Sequence, residues 1–168
     1  MKNTMAISKQ PFLALALAVA VAVAVAPAAA SAQQASAGQL GITGTWNHQL
    51  TIRNCATGAV IAESNPMSSY LGSGVAIEMS PVPNPTLRTP SLGVWKYVGN
   101  QNYELSIKYF RYNPDGSFAG KTIIDSNITH RPDDTLAQVA VVRIFNPAGI
   151  QVASGCATLT STRFTGND

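Results

Sequence analysis

Charged side chains are scarce in this sequence, and histidine and cysteine are scarcer still. Lysine and arginine together number 11, aspartate and glutamate 8, and there are two histidines and two cysteines. A nucleic-acid-binding protein displays a basic face, and no cluster of lysines or arginines predicts one here. Two widely separated cysteines with two histidines also lack the ligand spacing of a zinc site. Nucleophile-elbow, phosphate-loop and histidine-cluster motifs are absent as well, so the sequence predicts no catalytic residue, no metal and no cofactor.

The first 32 residues have the layout of a secretory signal peptide. Lys2 and Lys9 precede an apolar run from Pro11 to Ala26. Ala30-Ser31-Ala32 then fits the small-x-small pattern of a cleavage site. The alternative is a membrane anchor, but the run is shorter than the roughly 20 residues that a spanning helix needs. We therefore expect residues 1–32 to be removed.

Export predicts a secreted or periplasmic protein with no stable membrane anchor after cleavage. A second candidate cleavage site, Ala35-Ser36-Ala37, lies in the segment 33–41, which we expect to be a flexible tail. Without the two N-terminal lysines the remaining bases and acids nearly balance. In an oxidising compartment Cys55 and Cys156 are expected to form a disulfide, and the alternative is two free buried thiols.

Apolar and polar residues alternate along most of the chain from 42 to 164, with no helical period. On the first run, Trp46 and His48 lie on the same face. This pattern predicts an all-β domain, an antiparallel up-and-down barrel of about eight strands, with 165–168 as a C-terminal tail; a β-sandwich is the alternative. The predicted strands are Ile42–Arg53, Ala59–Glu63, Tyr70–Met79, Leu92–Val98, Asn102–Tyr112, Lys121–His130, Leu136–Phe145 and Ile150–Phe164.

Proline and glycine mark the connections between these strands. Asn113-Pro-Asp-Gly116 and Asn146-Pro-Ala-Gly149 are typical hairpin turns, because proline presets one dihedral angle and glycine accepts a positive one. Gly72 and Gly74 predict a bend or bulge inside the third strand. Four prolines between 81 and 90 predict a long irregular loop, since proline has no amide donor for a central strand. Loops of this length are either functional or mobile, and both possibilities stay open.

The opening strand resembles that of the calycins, the barrel superfamily of lipocalins, avidins and fatty-acid-binding proteins. The residues that match are Gly44-x-Trp46 and, near the end of the last strand, Arg163. The resemblance implies that Trp46 closes one end of the barrel and that the guanidinium of Arg163 packs across its indole. Two positions after this Trp, biotin-binding members carry an Asn, whereas this chain has His48, so biotin is not the expected ligand.

Later segments resemble a family of small exported bacterial proteins of unassigned function. The matching residues are Gly93-Val-Trp95, Phe110–Gly116, Gly155–Thr158 and Arg163-Phe164. This resemblance covers most of the mature chain and implies no activity.

Aromatic side chains and one histidine form the predicted ligand site. By parity with Trp46, the side chains of His48, Trp95, Tyr97 and Tyr103 point inward, and we expect them to line the mouth of a hollow barrel. Eight-stranded barrels are barely wide enough for a ligand, so a filled core is an equal alternative. Glu78 could face either the cavity or the solvent.

Three functions remain open at this stage, and catalysis is not the favoured one. The first is a module that binds a small apolar or amphipathic molecule. The second is a barrel enzyme of the allene-oxide-cyclase or dirigent type, which a pairing of His48 with a carboxylate inside the cavity would favour. The third is a structural or interaction protein with a filled core. The sequence does not predict an oligomeric state.

Overall fold

Nine β-strands joined mostly by short turns make up the computed structural model, which describes residues 41–166. Alternation of inward apolar and outward polar side chains along each strand is what makes these segments pair as a sheet. The strands are β1 (Gly44–Arg53), β2 (Val60–Ser64), β3 (Met67–Tyr70), β4 (Val75–Met79), β5 (Ser91–Gly99), β6 (Asn102–Tyr112), β7 (Phe118–His130), β8 (Thr135–Phe145) and β9 (Gln151–Arg163).

The sheet is antiparallel throughout and closes on itself. Each strand from β3 to β8 pairs with the next in sequence, and β1 pairs with β9 from Trp46 opposite Arg163 to Arg53 opposite Cys156. On its other side β1 pairs with β3 through its first half and with β2 through its second half. The two short strands are separated at Pro66, whose ring nitrogen has no hydrogen to donate. Together β2 and β3 occupy the position of a single strand beside β1. The predicted eight-stranded up-and-down barrel is therefore confirmed.

The third predicted strand, Tyr70–Met79, is wrong as a single strand, because the structure divides this segment between β3 and β4. The chain turns tightly after β3, and the amide of Gly74 donates to the carbonyl of Leu71 over 2.9 Å. Gly74 has a φ of 84°, which a residue with a Cβ adopts only under strain. The two glycines therefore make a hairpin turn and not a bend within one strand.

Predictions for the N-terminal segment fall on residues that the structure does not describe. The signal peptide 1–32, its cleavage sites and the tail up to residue 40 lie outside the described residues, as do 167 and 168. Between residues 41 and 166, no helix is long and apolar enough to cross a membrane.

Four hairpin turns share one geometry, and three of them, including the turn from Leu71 to Gly74, end on the glycine that it favours. In the predicted turns Asn113–Gly116 and Asn146–Gly149, the final glycine has a φ of 83° and 80°. The turn Arg131–Asp134 repeats the pattern of hydrogen bonds, but Asp134 takes the glycine position with a φ of 55°. A side chain in this left-handed conformation costs about 1–3 kcal/mol, so its surroundings must hold it there.

A disulfide joins Cys55 and Cys156, as the sequence predicted, with 5.1 Å between the two Cα atoms. Cys55 lies in the turn after β1, and Cys156 pairs in register with Arg53 at the far end of the β1–β9 seam from Trp46. The bond therefore ties together the first and last strands at one end of the barrel.

We expect reduction of this disulfide to lower the free energy of unfolding by up to about 5 kcal/mol, because a loop of 101 residues gains conformational freedom in the unfolded chain. Urea unfolding of oxidised and reduced protein measures the difference. Mass spectrometry after alkylation tests the bond itself, and two alkylated thiols in unreduced protein would contradict it.

Candidate functional site

Trp46 closes one end of the barrel, which we call the closed end. Its side chain is fully buried, and its indole Nε1 donates to the carbonyl of Ile42 over 2.8 Å. The central carbon of the Arg163 guanidinium lies 4.2 Å from the centroid of the Trp46 rings, the geometry of a cation–π contact. This is the packing that the resemblance to calycins implied.

Four hydrogen bonds to three other groups hold the guanidinium of Arg163. It donates to the carbonyls of Thr43 at 2.9 Å and Gly41 at 3.1 Å. It also donates to both carboxylate oxygens of Asp134, at 2.7 and 2.9 Å. These bonds lower the pKa of Asp134 to about 2 and raise that of Arg163. Gly44 has a φ of 130°, which favours glycine, and a Cβ there would also come within 2.7 Å of the Arg163 Nη1 atom.

Aromatic side chains extend inward from the closed end. The rings of Trp95 and Tyr103 are 5.8 Å apart, those of Tyr97 and Tyr103 are 5.3 Å apart, and Tyr70 meets Trp95 at 6.3 Å. Tyr103 is fully buried, and a side chain on Gly41 would come within 2.7 Å of its hydroxyl. The hydroxyl of Tyr103 therefore lies close to Gly41, whose carbonyl accepts a hydrogen bond from Arg163.

The barrel is hollow beyond this aromatic layer. A cavity of about 340 Å³ lies between the closed end and the opposite rim, which we call the open end. Most of its wall is aliphatic, formed by inward residues of β1 and of β6 to β9. These residues are Leu50, Ile52, Leu105, Ile107, Ile124, Ala140, Val142, Ala157 and Leu159.

The structure does not bring the four predicted mouth residues together at one place. His48 lines the cavity, whereas Trp95, Tyr97 and Tyr103 are not among the described residues that line it. Trp95 and Tyr103 belong to the buried core that includes Trp46, and Tyr97 packs against that core. Ligand contact by any of the four stays a prediction.

His48 is buried deep in the cavity wall with one ring nitrogen paired. Its Nδ1 lies 2.6 Å from the hydroxyl of Ser161 on β9. Its Nε2 is buried without a hydrogen-bond partner among residues 41–166. Burial lowers the pKa of His48 to about 4, because a charged imidazole loses its hydration there. The ring is therefore neutral at physiological pH.

Other neutral polar side chains line the same cavity. Gln138 on β8 donates from its amide nitrogen to the hydroxyl of Tyr70 over 3.3 Å. Burial raises the pKa of Tyr70, so the phenol keeps its proton. The hydroxyls of Ser68 and Ser126 also line the cavity. These groups offer hydrogen bonds but carry no charge.

The proline-rich segment 80–90 covers part of the cavity from the open end. Its Arg88 pairs with Glu78 at 3.0 Å and donates to Ser91 at 2.8 Å. The guanidinium also lies 3.7 Å from the ring centroid of Tyr109, which fixes the loop against β6. These contacts make the segment part of the cavity wall, and whether it is functional stays a prediction.

Tyr70, Gln138, Arg88 and Glu63 are among the cavity residues that sequence reasoning missed. Tyr70 and Gln138 occupy inward positions of β3 and β8, so alternation along each strand could have found them. Glu78 faces the cavity for the same reason. No local signal could have paired it with Arg88, because that contact depends on how the loop folds back.

Comparison with known proteins adds no family assignment to this geometry. No family model matches the chain, and no curated protein matches its sequence. Within the described part of the chain, no three histidine, cysteine, aspartate or glutamate side chains cluster as metal ligands would.

We expect Trp46→Ala to lower the free energy of unfolding by about 3–5 kcal/mol, because it leaves a large void under Arg163 and removes the surface that its guanidinium covers. Chemical denaturation measures this loss. Val139→Ala on the outer face, where the side chain is 57% exposed, is the control and should cost under about 0.5 kcal/mol. A similarly small loss for Trp46→Ala would remove its role at the closed end.

The buried His48 should also make stability fall in mild acid. The unfolded chain takes up a proton on this imidazole near pH 6.5, but the folded protein does so only near pH 4. Stability is therefore lost as the pH falls from 6.5 and levels off near 4, by about 3 kcal/mol in total. Urea titrations across this range measure the loss.

His48→Gln serves as the control for this pH dependence, since glutamine does not titrate. The difference in unfolding free energy between the two proteins should change across the range, which separates His48 from every other ionisable group. A constant difference would mean that the pKa of His48 is the same in the folded and unfolded states.

Proposed function

We propose that this chain is an exported, calycin-like barrel that binds a small apolar or amphipathic molecule in its interior. The single observation that carries the proposal is the cavity of about 340 Å³. Ligand sites in proteins enclose about 300–1,000 Å³ and combine a mostly apolar lining with a few placed polar groups. Leu105 and Ile107 are typical of that lining, and His48 and Gln138 are such polar groups.

Two features support the exported and calycin-like parts of the proposal. The disulfide between Cys55 and Cys156 is typical of proteins in oxidising compartments. The closed antiparallel barrel, with Gly44 and Trp46 on β1 and Arg163 across them, is compatible with a calycin-like fold.

Binding is favoured over catalysis by the partners of the ionisable groups in the cavity. His48 pairs with the hydroxyl of Ser161, and Glu78 pairs with Arg88 and Ser91. The arrangement that would favour an enzyme of the allene-oxide-cyclase or dirigent type was a histidine paired with a carboxylate. Glu63 also lines the cavity, but neither ring nitrogen of His48 bonds to a carboxylate among residues 41–166.

A fluorescent apolar probe tests the proposal directly. Phenylnaphthylamine is uncharged and emits strongly only in apolar surroundings, so its fluorescence should rise and saturate when the protein is added. Ala157→Phe places a ring in the cavity from an inward position of β9 and should abolish this rise.

The matched control is Thr158→Phe, one residue along the same strand and exposed on the outer face. It adds a similar apolar side chain outside the cavity and should leave the titration unchanged, with circular dichroism confirming that both variants fold. Absence of binding by the unaltered protein, or equal binding by the two variants, would refute a ligand site inside the barrel.

A further inference from the structure

Exposed apolar side chains surround the open end of the barrel. Strands β1, β6 and β8 all begin near the closed end, where Trp46, Tyr103 and Leu136 belong to one buried core, so the turns after these strands lie at the open end. Six large apolar side chains on those turns, or within a few residues of them, are between 40% and 64% exposed. We call them the apolar ring: Val60, Ile61, Phe110, Phe118, Ile150 and Val152. Exposed apolar groups that cluster in this way mark sites of interaction.

Cationic side chains lie beside the apolar ring. The ammonium of Lys108 is 5.4 Å from the aromatic centroid of Phe110, and that of Lys121 is 5.3 Å from the centroid of Phe145. Arg53 lies at the end of β1, next to the turn that Val60 follows. None of these three cations pairs with a carboxylate among residues 41–166. The open end therefore combines apolar surface with positive charge that no acidic side chain opposes at close range.

The excess of positive charge in the described chain lies toward the open end. Near the closed end the charges balance, with Lys96, Arg131 and Arg163 against Glu104, Asp133 and Asp134. In the other half, two ion pairs account for Arg88 with Glu78 and for Arg143 with Asp125. The charges that remain there are Arg53, Lys108, Arg111 and Lys121 against Glu63 and Asp115. With both carboxylates counted, the open end is still positive.

An anionic lipid surface fits this combination of groups. Apolar side chains bind such a surface by passing between its head groups, while cations beside them stay with the phosphates. The long stem of Lys108 lets its ammonium reach a phosphate with Phe110 lying deeper. The members of the apolar ring stand on separate turns around an opening, so they offer no single flat face to a second protein. A fluid layer of lipids contacts all of them at once.

We propose that the open end of the barrel docks reversibly on an anionic lipid bilayer, through the apolar ring and the cations Arg53, Lys108 and Lys121. This inference goes beyond the proposed function, because docking requires no molecule in the cavity. It places the mouth of the cavity and segment 80–90 against a layer in which apolar and amphipathic molecules dissolve. For the ligands of the proposed function, docking removes the passage through water.

Flotation with lipid vesicles tests the docking. The protein is purified in its exported form, so that the apolar run Pro11–Ala26 does not contribute. It should bind vesicles of phosphatidylcholine with about a quarter phosphatidylglycerol at least about fivefold more tightly than phosphatidylcholine alone, because cations near an anionic surface strengthen binding. Salt at about 0.5 M should remove most of this difference. Equal binding to the two kinds of vesicle, or binding to neither, would overturn the proposal.

Two pairs of substitutions test the apolar ring, and they alter side chains of similar exposure. Ile61→Ser with Ile150→Ser changes ring positions that are each 64% exposed, and it should weaken vesicle binding at least about tenfold because less apolar surface enters the lipid. Leu92→Ser with Val94→Ser changes outward positions of β5 that are 59% and 62% exposed, and it should leave binding unchanged. Circular dichroism confirms that both proteins fold. An equal loss in the two would contradict docking by the open end.

A second comparison changes the place of the charge and keeps its total. Lys108→Gln with Lys121→Gln removes two positive charges toward the open end, and Lys96→Gln with Arg131→Gln removes two near the closed end. Only the first pair should weaken binding to the anionic vesicles, by about tenfold. Equal effects would mean that net charge alone attracts the protein, and the proposed orientation would be wrong.

The remaining outcomes identify other occupants and separate the docking from the proposed function. Equilibrium sedimentation without vesicles measures self-association. A dimer that Ile61→Ser with Ile150→Ser separates would make the apolar ring an interface between copies, in place of a lipid contact. Phenylnaphthylamine binding is also measured without vesicles. If the probe binds and no vesicle does, the binding function stands and the docking is wrong. If vesicles bind and the probe does not, the docking stands without that function.

Discussion

The guanidinium of Arg163 lying across Trp46 is the contact on which the barrel depends. It stands at the seam where β9 meets β1, and its donors reach the carbonyls of Gly41 and Thr43 and both oxygens of Asp134. One side chain therefore joins the segment before β1, the last strand and the β7–β8 hairpin. Because the same group covers the indole, the apolar floor of the cavity and the closure of the sheet are stabilised by one set of bonds.

A tightly packed closed end also determines the chemistry of the space above it. Trp46, Trp95 and Tyr103 fill the barrel across its width near the floor and exclude water from that side. His48 comes next on β1 and so faces a region walled by aliphatic side chains, where ionisation is unfavourable. The neutral state of His48 is thus a consequence of how the floor is closed, in addition to the residues that surround the ring.

Strand patterns predicted the barrel well, and they failed where depth or loop folding mattered. Alternation located β6 at Asn102–Tyr112, as the structure has it, and parity placed the side chains of Trp95 and Tyr103 inside. Parity gives the face of the sheet but not the height along the barrel axis, which depends on the register between strands. The contact of Arg88 with Glu78 joins a loop to a strand, and no periodic pattern carries information about it.

Asp134 ties the turn between β7 and β8 to Arg163 at the end of β9. It occupies a backbone conformation that glycine takes in the three sister hairpins, and its bonds to Arg163 and to His130 hold it there. Gly44 also meets the arginine, but its own φ of 130° favours glycine whether or not the arginine is present. In a lineage that lost the arginine, the aspartate would lose its main partner, while the backbone would still select for glycine at position 44. Asp134 and Arg163 should therefore change together among relatives.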